Sequence, residues 1–190
     1  MTDTLLDPEA IARGLRRMAV EIAERGRGVK DLALVGIRRG GVPLAQRLAA
    51  LLLEIEGTAP PVGALDITLY RDDAATALPN PRIGPSHIPF AVDGRRILLV
   101  DDVLYTGRTI RAAVDALLDY GRPRRIELCA LVDRGGRELP IQPDYVVRVV
   151  EVDPARRVEV VERDGELWAV VVRADGASHP PPPDVTGASS

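Results

Sequence analysis

The sequence predicts an α/β fold: a parallel twisted sheet flanked by helices, completed by a small C-terminal β cap, or hood. Three observations carry this reading. Strand-like and helical stretches alternate over the first two-thirds of the chain, as in βαβ units with right-handed crossovers. The strand-like runs there are short, branched and apolar, so they read as buried. After about residue 134 the pattern changes to strand-like runs separated by turn signals, which suits an antiparallel cap.

The elements follow in order. Asp7-Pro8-Glu9 is a helix start: a capping side chain, a proline where its missing N–H costs nothing, and an acid in the first turn. Ile11, Leu15, Met18 and Ile22 then recur at helical spacing as one apolar stripe. "DLALVGI" is a buried strand ending in the loop "RRGG", and "VPLAQRLAALLLEIEG" is a helix closed by Gly57. "PVGALDITLYR" is extended and partly alternating, hence a second strand. Residues 72–89 form a polar loop rich in proline and glycine, long enough to suggest a functional role. "ILLVDDVLYTGRT" begins as a third strand, "GRTIRAAVDALLDYG" is its helix, and "RRIELCALVDR" is a fourth strand. "DYVVRVVEV", "VEVVE" and "LWAVVV" are the runs assigned to the hood, at about 134–173. Residues 1–173 are expected to form one domain, and the proline-rich segment 174–190 a disordered tail.

Bulk properties bound the function. A chain of 190 residues buries a core without staples. With aromatics at 3%, that core must be built from Val, Leu, Ile and Ala. Cys129 in "IELCALV" reads as a small buried hydrophobe, and a single cysteine implies no oxidising compartment. "MTDTLLDPEAIARG" lacks the basic start and apolar run of a secretory signal. No apolar stretch approaches the ~20 residues of a membrane span. The expectation is a cytoplasmic protein with no membrane partner. A net charge of −3 gives no general attraction to nucleic acid.

The informative stretch is "ILLVDDVLYTGRT", Ile97 to Thr109. Thr106 to Thr109 lies between a strand and a helix N-terminus, where backbone N–H groups and the helix dipole favour a phosphate. Gly107 allows close approach, and Thr106 and Thr109 add hydroxyl donors. Asp101 and Asp102 would repel a phosphate but suit a vicinal diol. A ribose 5-phosphate satisfies both halves. The plainer alternative is a polar strand end followed by an ordinary helix cap. Neither familiar nucleotide loop, "GxxxxGK[ST]" or "GxGxxG", is present.

The same stretch resembles the phosphoribosyl-pyrophosphate (PRPP) fingerprint of the type I phosphoribosyltransferase fold. Together with "LVGIRRGGVPLAQRLA", "GALDITLYRDD" and "LVDRGGRELPIQPDYV", it is similar to the pyrimidine-operon attenuation regulators, the PyrR family, from about Asp7 to Val172. The resemblance implies a bifunctional protein: a uracil phosphoribosyltransferase making UMP and pyrophosphate from uracil and PRPP, and a UMP-dependent regulator binding the leader mRNA of pyrimidine-biosynthetic genes. A nucleotide-sensing RNA regulator with little catalysis is the alternative.

By resemblance, Asp101 and Asp102 hold the ribose hydroxyls. Val103, Leu104, Tyr105, Thr106, Gly107, Arg108 and Thr109 form the 5′-phosphate segment. Arg38, Arg39, Gly40 and Gly41 meet the pyrophosphate, whose several charges need preorganised donors. Arg71 leads into the long loop, expected to close over the reacting centre and exclude water. Arg134 and backbone near Val158 would contact uracil. Tyr105 stands where purine-handling relatives carry an aspartate, which favours a pyrimidine. Mg²⁺ is expected to be held mainly by substrate oxygens, with its direct protein ligands unassigned and no organic cofactor needed. Arg13, Arg16, Arg17, Arg25, Arg137 and Arg148 are the RNA candidates, although Glu21 and Glu24 interrupt the cluster. Gly136 departs from the family's usual histidine, and Val147-Arg148 from its usual Gly-Lys. A homodimer or higher homo-oligomer is also implied.

Overall fold

Asp7 caps the first long helix as its sequence dictates: the carboxylate accepts the Ala10 N–H at 2.7 Å, and Pro8 occupies the first turn. In the computed structural model, which describes residues 3–71 and 86–173, that helix is α1 (Pro8–Gly26). It follows a short strand, β1 (Asp3–Leu6), and precedes β2 (Leu32–Ile37), α2 (Gly41–Glu56) and β3 (Val62–Leu65). A single 3-10 turn (Thr68–Tyr70) comes next. Then follow β4 (Arg96–Leu104), α3 (Arg108–Leu118), β5 (Arg125–Asp133), β6 (Tyr145–Val149), β7 (Arg156–Arg163) and β8 (Glu166–Arg173).

Five strands make a parallel sheet in the order β3-β2-β4-β5-β6. The α1 stripe Ile11, Leu15, Met18 and Ile22 is buried against one face, together with Leu44, Leu48 and Leu52 of α2. Ile110, Ala113 and Leu117 of α3 cover the other face over Ile97 and Leu99. Pairing of β2 with β4 stops at Gly36↔Val100, whereas β4 stays paired with β5 as far as Leu104↔Asp133. From these neighbours the chain departs in opposite directions, through α2 to β3 and through α3 to β5. That is a topological switch point, where open α/β sheets form a crevice beyond their strand ends.

The hood differs from the sequence expectation of a cap over 134–173. "DYVVRVVEV" does not enter it. Its residues Tyr145–Val149 form the parallel edge strand β6 beside β5. Packing decides this: α1 lies so close that a Cβ on Gly14 would sit 2.2 Å from Val147 Cγ1, and the buried Tyr145 hydroxyl accepts from Arg96 Nη2 at 3.0 Å. The hood sheet is β1-β8-β7, with Asp3–Leu6 antiparallel to β8. The extreme N-terminal residues therefore complete a cap whose other strands lie 150 residues away, a pairing with no local signature.

"PVGALDITLYR" is a strand only over Val62–Leu65. Asp66 then accepts the Thr68 N–H at 2.8 Å, an Asx turn that competes with the ladder. Of the expected 72–89 loop, residues 72–85 lie outside the described residues, as does the expected 174–190 tail. His87, however, is tied to Ala64 by backbone bonds of 2.8 and 2.7 Å, and Ser86 Oγ accepts the Asp66 N–H at 2.9 Å. Among the described residues no helix is long and apolar enough to cross a membrane.

Candidate active site

A cleft of about 630 Å³ opens at the switch point. Arg38, Arg39 and Gly40 line it from the β2–α2 loop, Asp66 and Arg71 from the β3 side, and Asp101, Asp102 and Thr109 from β4 and α3. Val160, Glu162 and Leu167 close it from the hood. Motifs separated by more than sixty residues thus meet because β2 and β4 are neighbours whose following loops turn apart.

Asp101 and Asp102 are the last acidic residues of a strand buried over most of its length, so one flank of each is desolvated. Asp101 is 6% exposed. Burial, and then the adjacent Asp102 carboxylate, push its pKa well above the usual carboxylate range. The two are fixed by the backbone: Asp102 N–H donates to Asp101 Oδ1 at 3.0 Å, and Val103 N–H to Asp102 Oδ1 at 2.8 Å. Asp102 is half-buried and abuts Gly40; an added Cβ there would stand 2.1 Å from Asp102 Oδ2. Glycine at position 40 is what lets the arginine loop approach the carboxylates.

The bend from Val103 to Thr109 has the polarity of an anion cradle. The carbonyls of Leu104 and Thr106 accept N–H groups of Arg134 (3.0 Å), Glu138 (3.0 Å) and Leu139 (3.1 Å). Among the described residues, neither the Thr106 nor the Gly107 N–H donates to a protein acceptor. Gly107 caps α3 with φ at +91°, a conformation disfavoured for side-chain-bearing residues. Thr106 Oγ1 accepts the Arg108 N–H at 3.3 Å, and the Arg108 side chain pairs with Glu138 at 2.5 Å. Unclaimed N–H groups at a helix N-terminus are suited to a phosphate.

Arg38 and Arg39 are exposed at the cleft edge, joined by a cis peptide, and Arg38 N–H donates to Leu65 O at 2.9 Å. Gly41 begins α2 tightly against β4, its Cβ position only 2.0 Å from Val100 O. Arg71 lines the cleft at the edge of the described segment. Arg134 is 7% exposed, and its guanidinium stacks 4.1 Å from the Tyr105 ring centroid. Among the described residues its buried Nε has no hydrogen-bond partner, and Arg134 is not among the residues that line the cleft. Val158 is packed in the core instead of on the cleft wall. Val160 and Glu162, two and four residues on along the same strand face, line the cleft in its place. Sequence reasoning missed Glu162 and Leu167 because hood register is a tertiary matter.

The six RNA candidates do not form one surface. Arg13, Arg16, Arg17 and Arg25 are exposed on α1, each within ion-pair distance of an acid: Glu9, Glu54, Glu21 and Glu21 in turn. Arg148 follows Val147, whose side chain meets α1, so strand alternation sends it to the opposite sheet face. Arg137 is only 16% exposed and braces the bend from Val103 to Thr109: it pairs with Asp133 at 2.6 Å and donates to Tyr105 O at 2.8 Å. Its expected place on an RNA surface conflicts with this burial. Among the described residues no cluster of three or more His, Cys, Asp or Glu could cage a metal.

A phosphoribosyl transferase domain model matches residues 1–164. The chain is 54% identical over 177 residues to the "Bifunctional protein PyrR" of Roseiflexus sp. (strain RS-1), covering 92% of this chain and 97% of that protein. It is 52% identical over 170 residues to the protein of the same name from Pelotomaculum thermopropionicum, covering 88% and 94%. The hypoxanthine phosphoribosyltransferase of Trypanosoma cruzi shares the fold, with a TM-score of 0.66 at 20% identity over 90% of this chain and 96% of that one.

Proposed function

The chain belongs to the phosphoribosyl transferase domain family and, within it, to the PyrR proteins, and from that premise we propose that it is bifunctional: a uracil phosphoribosyltransferase and a UMP-dependent RNA-binding regulator of pyrimidine-biosynthetic genes. The observation that carries the catalytic half is the junction of three unlike surfaces in one cleft. The adjacent carboxyls of Asp101 and Asp102 meet the bend, which reaches the cleft at Val103 and Thr109, on one side and two exposed arginines on the other. PRPP presents the complementary sequence of groups: a diol between a 5′-phosphate and a pyrophosphate.

In this reading Asp102 and Asp101 accept hydrogen bonds from the ribose hydroxyls, while Thr106 to Thr109 take the 5′-phosphate. Arg38 and Arg39 counter the charge that grows on departing pyrophosphate. Uracil N1 bonds to C1′ as the C1′–O bond to pyrophosphate breaks, and the N1 proton passes to the departing pyrophosphate. No covalent enzyme intermediate is needed. Positive charge developing on the ribose lies above the carboxylates, which is where negative charge is most useful. Arg134, stacked on Tyr105 next to the bend, is the donor proposed for an exocyclic oxygen of the base.

The donor set fits Mg²⁺ held mainly by the substrate: Asp101, Asp102 and Asp66 line the cleft but do not converge into a metal-caging cluster, so most ligands would come from substrate oxygens. Bound there, it would neutralise pyrophosphate charge. The exposed α1 arginines support the RNA half, and exposed Val20, Leu53 and Ile55 on α1 and α2 offer apolar surface to a homodimer or higher oligomer.

The test is release of pyrophosphate from PRPP with Mg²⁺ and each nucleobase in turn. Uracil-dependent release is expected. UMP binding without turnover would leave only the regulatory half, and release with hypoxanthine but not uracil would overturn the base assignment.

A further inference from the structure

The phosphate bend has an outer brace, and one side chain holds the brace together. The segment after β5 takes the carbonyls of Leu104, Tyr105 and Thr106 in turn. Two of these three are held by backbone N–H groups. The Tyr105 carbonyl, at the centre of the bend, is held by a side chain: Arg137 Nη1, at 2.8 Å. The other nitrogens of that guanidinium are equally committed. Nε donates to Ile141 O at 2.8 Å, and Nη2 pairs with Asp133 Oδ2 at 2.6 Å. Arg137 thus joins the end of β5, the far side of its own loop and the bend, from a site that is 16% exposed.

This geometry has an electrostatic consequence. A peptide carbonyl facing an anion repels it, so a bend becomes a phosphate site only if its carbonyls point away. Drawing the Tyr105 oxygen outward fixes the plane of the Tyr105–Thr106 peptide, and with it the direction of the Thr106 N–H. Among the described residues that N–H donates to no protein acceptor. The charged donor makes this hold stronger than an ordinary amide bond would.

We propose that Arg137 is the positioning residue of the 5′-phosphate cradle, acting through the Tyr105 carbonyl without touching the nucleotide. This deepens the reading of the cleft as a phosphoribosyl site and rests on it. It also gives Arg137 a role different from the RNA contact that its sequence context suggested.

The test compares UMP with uridine, ligands that differ only in the 5′-phosphate, by calorimetry on the full-length protein. Wild type should prefer UMP. Arg137→Ala should lose about tenfold or more in UMP affinity, the scale of one charge-assisted hydrogen bond, with uridine affinity changed less than about twofold. Arg137→Lys, which restores one charged donor, should recover part of the preference. Should Arg137→Ala fail to fold, Asp133→Asn, which removes the carboxylate that anchors the guanidinium, should reduce the same preference. A variant that folds, keeps the full UMP preference and loses only leader-RNA binding would overturn the proposal and return Arg137 to the RNA surface. A wild-type protein with no preference for UMP over uridine would instead remove the phosphoribosyl site itself, and the brace with it.

Discussion

A single methyl group at Gly40 tests the cleft's geometry. In Gly40→Ala the new Cβ would stand 2.1 Å from Asp102 Oδ2, 2.4 Å from its Cγ and 2.9 Å from its Cβ, where ordinary contact begins at 3.4 Å. Because the Asp102 Cβ is also too close, rotating the carboxylate is not enough. With the carboxylate turned away, the arginine loop and the strand must still separate by about half an ångström; with the carboxylate kept in place they must separate by more than an ångström, so either the loop or the catalytic group is displaced at the centre of the site. Misplacement on that scale costs roughly 10²-fold in rate, or about 2.7 kcal/mol in the barrier. Stability should behave differently. Gly40 has φ −67° and ψ −30°, which alanine adopts freely, so losing glycine's unfolded-state entropy contributes about 0.4–1 kcal/mol of stability against the clash. The expected outcome is a fall of about 10²-fold in kcat/KM for PRPP, read by pyrophosphate release, with Tm moved by only about 2–4 °C. Activity within threefold of wild type would mean that the loop and Asp102 need not approach each other, and the site as described would be wrong.

The remaining predictions concern the carboxylates and the helix face. Asp102→Asn keeps shape but removes the charge facing the sugar, so kcat should fall by about 10² or more while Tm shifts by only about 2–4 °C; a large gain in Tm with full activity would contradict that role. Asp101, whose pKa burial raises above the ordinary 3.8, binds its proton more tightly folded than unfolded. Its contribution to stability is therefore complete in acid and lost as pH rises through the raised value. Urea melts of Asp101→Asn against wild type should converge at acid pH and separate toward neutrality with the variant more stable; parallel profiles would show that Asp101 ionises normally. Arg16→Glu with Arg17→Glu should weaken leader-RNA binding and flatten its salt dependence while leaving pyrophosphate release intact; unchanged RNA affinity would place that surface elsewhere.

Much of the site was legible because it is local. "DDVLYTGRT" carries its carboxylates, its bend and its helix start within one strand-turn-helix unit, and the structure places each of those features in that unit. "RRGG" was legible as a strand end, with Gly40 the reason it can lie against Asp102. Arg137 was not, because "VDRGGREL" reads as an exposed basic turn until β5 and β6 are placed on either side of it. Of the hood strand near Val158, it is Val160 and Glu162 that line the cleft, since a strand's period of two fixes the face but not the depth.

By itself, then, the sequence determined the alternation of buried strands and amphipathic helices that implies a parallel sheet, and the carboxylate pair followed by a bend and helix start after β4, because each of these is written in residues near one another in the chain. Only the tertiary structure decided the rest. It gave β6 to the main sheet because α1 covers it closely at Gly14, recruited Asp3–Leu6 to the hood, and set Glu162 over the cleft. It also packed Arg137 behind the bend from Val103 to Thr109. Each of these depends on which distant strand lies alongside, and strand pairing is settled by the burial of whole faces, not by any short run of residues.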